Sequence, residues 1–279
     1  MAGGPLAERI RAQVAQDVQE LGGIGLATVQ VGDDPASTVY IRHKHQAAGE
    51  AVIASTDLKL PEDITQEELV AAVELLNDDD EIDGILVQLP LPGHLDEAQA
   101  VLAIDPVKDV DGVHPLNAGQ LYLGRPTLVP ATPLGIMALL EEYRVGLDRT
   151  RAVVIGRSDI VGKPIAHLLL QANATVTVCH SRTDDLSRFT LDADVLVAAV
   201  GRPAIVSPDM VKTGSVVVDV GINRTDAGLV GDVDPGAAEV AAFMTPVPGG
   251  VGPMTIALLL RNTVRCADYR RGNVSFPAL

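Results

Sequence analysis

The stretch from Arg151 to Thr183, RAVVIGRSDIVGKPIAHLLLQANATVTVCHSRT, constrains the fold more than any other part of the chain. It reads as strand, glycine turn, helix, strand and polar tip, which is a βαβ unit. Ala152 to Ile155 is apolar without alternation, as expected of a strand covered by helices on both faces. Gly156 ends that strand. Pro164 suits the first turn of a helix, where its missing N–H is not needed, and Ile165, Leu168, Leu169 and Leu170 form one broad apolar stripe. A glycine turn feeding a helix start aims backbone amides and the positive end of the dipole at one spot, which favours a phosphate. The spacing departs from G-x-G-x-x-G, because Ser158 stands where the middle glycine would be and Gly162 comes one residue late. The second strand ends in His180-Ser181-Arg182-Thr183, with no Asp or Glu where an NAD site holds the ribose hydroxyls. Arg157, Ser181 and Arg182 offer donors instead. Guanidinium and hydroxyl groups bind an anion that a carboxylate would repel, so the residues favour NADP over NAD. The alternative is a plain α/β packing unit with polar loops.

At 279 residues the chain is long enough for two compact domains. Its net charge of -16, from 37 acidic against 21 basic residues, weighs against nucleic-acid or anionic-membrane partners. Cys179 and Cys266 fit neither a disulfide framework nor a zinc ligand set, so a reducing interior is expected. Apolar runs stop after roughly eight residues, short of the ~20 that a membrane span needs, and no signal sequence is read. A soluble, cytoplasmic protein is the expectation.

The first half carries a different kind of signal. Pro5 to Leu21 has the spacing of an amphipathic helix, and Ile24 to Gly32 that of a buried strand. Asp33-Asp34-Pro35 then has the chemistry of a helix start. In that helix Ser37, Tyr40 and Lys44, three and four apart, share a face. A lysine beside a tyrosine just beyond a strand's carboxyl end sits where open α/β sheets place ligands. It accepts a proton near neutral pH only if a cavity lowers its pKa; a solvated surface lysine is the alternative. His43 and His45, two apart on a helix, point in different directions and receive no metal role.

Thr65 with Glu68 makes a capping box for a helix over 64–76. Gln88 lies inside the otherwise apolar run GILVQLPLP at 84–92. It must find a partner, since an unpaired buried amide costs about 1–3 kcal/mol. A short helix over 95–104 precedes KDVDGVHP at 108–115, where Asp109 and Asp111 fall on one side if the chain is extended. A carboxylate there can hold a planar nitrogen donor group or cap a turn. Pro126, Pro130 and Pro133 mark a domain junction before a helix over 134–143. The strands at 193–201 and 215–221 each close on glycine, as in a nucleotide-binding crevice. TPVPGGVGPMT at 245–255 reads as a stiff loop whose glycines allow close approach to a ligand, or as a hinge, followed by a helix over 255–267.

Taken together, GDDPASTVYIRHK at 32–44, GILVQLPLP at 84–92, KDVDGVHPLNAG at 108–119, IGRSDIVGKP at 155–164, CHSRT at 179–183, VVDVGI at 217–222 and TPVPGGVGPMT at 245–255 resemble the bifunctional methylenetetrahydrofolate dehydrogenase/cyclohydrolase family over nearly the whole chain. The resemblance implies an α/β fold of two domains with a cleft between them. A folate-binding catalytic domain over 1–127 would be completed by a closing helix at 253–279, and a Rossmann-like NADP-binding domain would occupy 128–252. It implies oxidation of 5,10-methylenetetrahydrofolate with NADP+ and hydrolysis of the methenyl product to 10-formyltetrahydrofolate. One-carbon metabolism, tetrahydrofolate interconversion, purine biosynthesis and a homodimer go with it. By position, Lys44 would be the general acid/base, Tyr40 the ring stacking on the folate, Gln88 the partner tuning Lys44, and Asp111 the residue holding the pterin. Gly250 and Pro253 would join them at the substrate. Gly156, Arg157, Ser158, Ser181 and Ile222 would line the NADP site, and no metal is implied. Retention of only one activity, or ligand binding without turnover, are the competing readings. The chain departs from the family in three places: the short strand before the first helix is missing, Ala131 replaces a common cysteine, and Val52 stands where glycine is common.

Overall fold

The computed structural model describes residues 1–277 apart from 34 and 227, without the side chains of residues 35–41 and 43. The expected start at Asp33-Asp34-Pro35 falls partly, and the ring of Tyr40 wholly, outside the described residues. The chain runs through α1 (Gly4–Leu21), β1 (Gly25–Val31), α2 (Pro35–Glu50), β2 (Ala54–Leu60), α3 (Gln66–Asp78), β3 (Gly84–Val87), α4 (Glu97–Leu102) and α5 (Pro115–Tyr122). It continues through α6 (Ala131–Glu142), β4 (Arg151–Ile155), α7 (Gly162–Gln171), β5 (Thr175–Cys179), α8 (Ser187–Thr190), β6 (Val195–Ala198), β7 (Val216–Asp219), β8 (Asn223–Thr225), β9 (Gly228–Val230), β10 (Phe243–Met244) and α9 (Val251–Arg270). Two compact units result, one of residues 8–129 with 256–279, the other of residues 1–7 with 130–255.

In the first unit a parallel sheet has the order β2-β1-β3. Central β1 is buried throughout, its polar Thr28 and Gln30 included, and its Val29 packs with Ile85, Val87, Leu69 and Val73 in one core. Edge strand β2, with the polar sequence ASTDLKL, is mostly exposed. Helix α3 opens on the expected capping box: the Thr65 hydroxyl accepts from the Glu68 amide at 3.2 Å, and the Glu68 carboxylate accepts from the Thr65 amide at 2.9 Å. Its other end is closed from a distance. The buried ammonium of Lys108 donates to the carbonyls of Leu76, Asn77 and Asp79 at 3.0, 2.6 and 2.8 Å, satisfying carbonyls that a helix terminus leaves open.

The closing helix α9 begins at Val251, ahead of the expected start, and takes Pro253 into its first turn, where proline is tolerated. At its far end Arg270 and Arg271 reach the buried carboxylate of Asp83 at 2.7 and 3.2 Å. Asp83 also accepts from the Gly25 amide at 3.1 Å, so the end of the chain is tied to the amino ends of β1 and β3. Val52, in the turn after α2, has a φ of +60°, a left-handed conformation that glycine adopts without strain.

In the second unit five parallel strands have the order β10-β7-β6-β4-β5. The chain leaves β4 for β5 on one side and returns to β6 on the other. The carboxyl ends of β4 and β6 are therefore a topological switch point, where open α/β sheets bind ligands.

Candidate functional site

Each unit carries one constellation that its elements assemble. In the first, Lys44 on α2 is only 5 % exposed, and its Nζ donates to Gln88 Oε1 at 3.3 Å. Gln88 follows directly on β3, held by its amide to the Val29 carbonyl at 2.9 Å. Its side-chain nitrogen is spent on the Leu89 carbonyl at 2.7 Å, which turns the side-chain oxygen to the lysine. Burial pushes the Lys44 pKa below the ordinary lysine value, and the charge of Asp111 pulls it part of the way back. Burial likewise raises the Asp111 carboxyl, with Lys44 opposing. The structure thus brings Lys44, Gln88 and Asp111 together.

The segment carrying Asp111 is a turn after a single bridge from Asp109 to Ile85, not an extended strand, so the strand alternation that would align the two carboxylates is absent. Asp109 is fully buried. One of its oxygens accepts from the His114 amide and the Asn117 side chain, both at 2.8 Å, while the other has no partner. Burial raises its pKa to about 6. Asn262 on α9 fixes the turn from the other side, donating to the carbonyls of Val110 and Val129 at 2.8 and 2.9 Å. Sequence reasoning did not single out Asn117 or Asn262 as supports. Asn117 lies within the motif at 108–119, which does not tell that its side chain meets Pro106, Asp109 and Thr127, and the partners of Asn262 are 152 and 133 positions away. His45 faces Thr28 Oγ1 at 3.2 Å and Asp57 Oδ1 at 3.0 Å.

In the second unit the switch point opens into a cavity of about 490 Å³. Its polar wall is Arg157, Ser158, His180, Ser181, Thr183 and Arg202, and among the described residues no carboxylate lines it, although the chain holds 37 acidic residues. Glycine is required where expected, but by the chain itself. A Cβ on Gly156, whose φ is +126°, would lie 2.3 Å from the Ala199 carbonyl oxygen, and one on Gly162 would lie 2.4 Å from that of Gly156. The late second glycine reflects this packing of turn on turn. Ser158 also changes the expected anion site: its hydroxyl accepts from the amides of Val161 and Gly162 at 3.2 and 3.3 Å, engaging donors that a bare helix start would offer a phosphate.

Of the residues expected at this site, Gly156, Arg157, Ser158 and Ser181 line the cavity. Ile222 does not, and is 62 % exposed beyond β7. Arg182 also lies outside the lining; its amide donates to His180 Nδ1 at 3.1 Å. Arg202 was not anticipated, and its only signal is its place after a strand that ends in glycine. At Gly250 the close approach is again internal, since a Cβ there would come within 2.6 Å of the Pro246 carbonyl oxygen. Pro253 sits in the first turn of α9.

The cavity suits a dinucleotide phosphate: a glycine-shaped floor, guanidinium and hydroxyl groups on the rim, and no opposing anion. Comparison with known proteins bears on the same two regions. The tetrahydrofolate dehydrogenase/cyclohydrolase catalytic domain matches residues 1–111, and the NAD(P)-binding domain of the same family matches residues 130–271. The bifunctional protein FolD of Streptococcus agalactiae is 53% identical, over 95% of this chain and 96% of its own. The solved structure of the bifunctional enzyme FolD, methylenetetrahydrofolate dehydrogenase/cyclohydrolase, from Campylobacter jejuni is similar with a TM-score of 0.95 and 47% identity, covering 96% of this chain and 98% of that one. The Trypanosoma brucei N5,N10-methylenetetrahydrofolate dehydrogenase-cyclohydrolase, solved with NADP cofactor and an inhibitor, has a TM-score of 0.92 and 38% identity, covering 98% of both chains.

Proposed function

The chain belongs to the tetrahydrofolate dehydrogenase/cyclohydrolase family, and from that premise we propose that it oxidises 5,10-methylenetetrahydrofolate with NADP+ and hydrolyses the methenyl product to 10-formyltetrahydrofolate. The observation that carries this reading is the enclosed amine of Lys44, drawn below its ordinary pKa by burial and bonded to Gln88. A lysine kept in that state has an acid/base use that a surface lysine lacks.

In the hydrolysis, the neutral amine of Lys44 takes a proton from the water that attacks the methenyl carbon. The ammonium so formed gives a proton to N5 of the folate as the carbon–N5 bond breaks, and the adduct's hydroxyl proton leaves to solvent. Gln88 holds the amine in place through its side-chain oxygen. Asp111 tempers the fall in the lysine's pKa and offers its carboxylate to the pterin's planar nitrogen donors. Tyr40 stacks on the folate, while Gly250 and Pro253 join the substrate's surroundings. NADP+, when bound, accepts a hydride, and for that step the protein's main task is alignment rather than proton transfer. Gly156, Arg157, Ser158 and Ser181 hold the dinucleotide, with Ile222 at its margin. The division into a folate-binding part over 1–127 with 253–279 and an NADP-binding part over 128–252 follows from this reading.

The protein acts on the one-carbon supply to purine biosynthesis, in the cytoplasm, as a homodimer. The exposed edge strand β5, with Val178 40 % exposed, supports self-association, because an open strand edge is a ready template for pairing. Among the described residues no helix is long and apolar enough to cross a membrane.

Incubation with 5,10-methylenetetrahydrofolate and NADP+, following NADPH and the methenyl chromophore separately, tests the function. Formation of both products is expected; accumulation of the methenyl compound at its spontaneous hydrolysis rate would reduce the protein to a dehydrogenase.

A further inference from the structure

Arg202 belongs to none of the motifs that define the two sites, yet it lines the same cavity as Arg157 and Ser181. Its backbone is held unusually firmly. The carboxylate of Asp232 accepts from three successive amides, Val200 at 2.6 Å, Gly201 at 3.0 Å and Arg202 at 2.8 Å, and from the side chain of Asn223 at 3.0 Å. Asp232 is completely buried. Its own amide donates to Asp219 at 2.8 Å, and Asp219 also holds the amides of Gly221 and Val233 at 2.9 and 3.0 Å. A chain of two buried carboxylates therefore fixes the rim of the cavity after β6, from which the exposed Arg202 side chain projects.

Among the described residues, no carboxylate pairs with the Arg202 guanidinium. In a chain of net charge -16, a rigidly based and unpaired arginine over a cavity without acidic lining is a cation kept for an anionic ligand. Resting on the NADP reading above, we propose that Arg202 is a specificity-determining residue that, with Arg157, recognises the phosphate monoester on the adenosine ribose, and that Asp232 is its positioning residue. A second guanidinium raises discrimination against the unphosphorylated cofactor because the ligand it favours carries two more negative charges at that point.

The test is calorimetric binding of adenosine 2′,5′-bisphosphate and of 5′-AMP to the full chain, which needs no turnover. Arg202→Ala should weaken the bisphosphate about tenfold and 5′-AMP little, and Arg202→Lys, which keeps the charge without the fork, should fall between. Equal loss for both ligands, or no loss for either, overturns the assignment. A wild-type protein with no preference for the bisphosphate would overturn the NADP reading as well, so the two failures are distinguishable. Asp232→Asn, with its melting temperature recorded, should lower the same preference but add nothing in an Arg202→Ala background; additive losses would remove the positioning role. Should Asp232→Asn not fold, the two arginine variants still decide the main assignment.

Discussion

The two units solve the problem of making a site in opposite ways. The first buries ionisable side chains: Lys44 and Asp109 are 5 % and 0 % exposed, and both have pKa values moved by burial toward the neutral form. The second shapes backbone, using Gly156 and Gly162 to bring turns within contact distance, and leaves its charged groups on an open rim. The difference matches the work proposed for each. Proton transfer needs an amine whose charge is costly to keep, whereas gripping a phosphate needs cations that stay charged and amides that stay in place.

Lys44→Met breaks the comparison at its strongest point. Cyclohydrolase activity is expected to fall about a thousandfold, with adenosine 2′,5′-bisphosphate binding unchanged within error. Removing a costly buried charge should leave the melting temperature level or higher. Near-normal methenyl hydrolysis in this variant would mean that the first unit does not work through its enclosed amine.

Asp109 tests the claim that the first unit gives up stability to house charge. Its folded pKa of about 6 lies above the model-peptide value of 3.8. Stability from this group is therefore fully present below about pH 3.8 and is lost as pH rises through about 6. The span corresponds to something on the order of 3 kcal/mol. Asp109→Asn keeps an oxygen for His114 and Asn117 and puts its NH2 where the partnerless oxygen stands, so it should remove this loss. The comparison is of urea unfolding at pH 5 and pH 7.5 in both proteins. An equal pH dependence would show that Asp109 is not the group responsible.

The backbone strategy of the second unit predicts a smaller but sharply local effect. Gly156→Ala forces a methyl group to within 2.3 Å of the Ala199 oxygen at a φ of +126°, at a cost of roughly 1–3 kcal/mol. Bisphosphate binding should weaken severalfold while methenyl hydrolysis persists. Loss of hydrolysis with retained binding would invert the proposed division of labour.

Much of this was legible in the sequence where the physics is local. The capping box at Thr65 and Glu68, the buried strand β1, the apolar runs of β4, β6 and β7, and the shared placement of Lys44, Gln88 and Asp111 all follow from residues near one another or from whole motifs. Strand β2 was not, because this edge strand brings only Leu58 and Leu60 as large apolar residues to the core, too short an alternation to stand out. The roles of Lys108, Asn262 and Asp232 were hidden for another reason. Each satisfies backbone groups distant in sequence, and a lone Lys, Asn or Asp says nothing about which carbonyl or amide it will meet. The shape of 108–111 was left open between an extended strand and a capped turn; Lys108, reaching the end of α3, and Asp109, accepting from His114 and Asn117, decide for the turn.

The smallest effect contrasts two left-handed positions, one in each unit. Gly156 cannot take a side chain because the Ala199 carbonyl, just beyond β6, occupies the space. Val52, at a φ of +60° in the turn after α2, is 59 % exposed, so its β-branched side chain meets intrinsic backbone strain rather than a neighbour. That strain costs roughly 1–2 kcal/mol, of which the extra unfolded-state freedom of glycine would cancel about half. Val52→Gly should therefore raise stability by about 0.5–1 kcal/mol, seen as a higher midpoint in urea with an unchanged slope. If helix α2 carries Lys44 as a rigid body, kcat for hydrolysis will not move. A gain in stability accompanied by a fall in kcat would mean that strain at the end of α2 helps to hold the amine in place, and the first unit would then depend on backbone geometry as the second does.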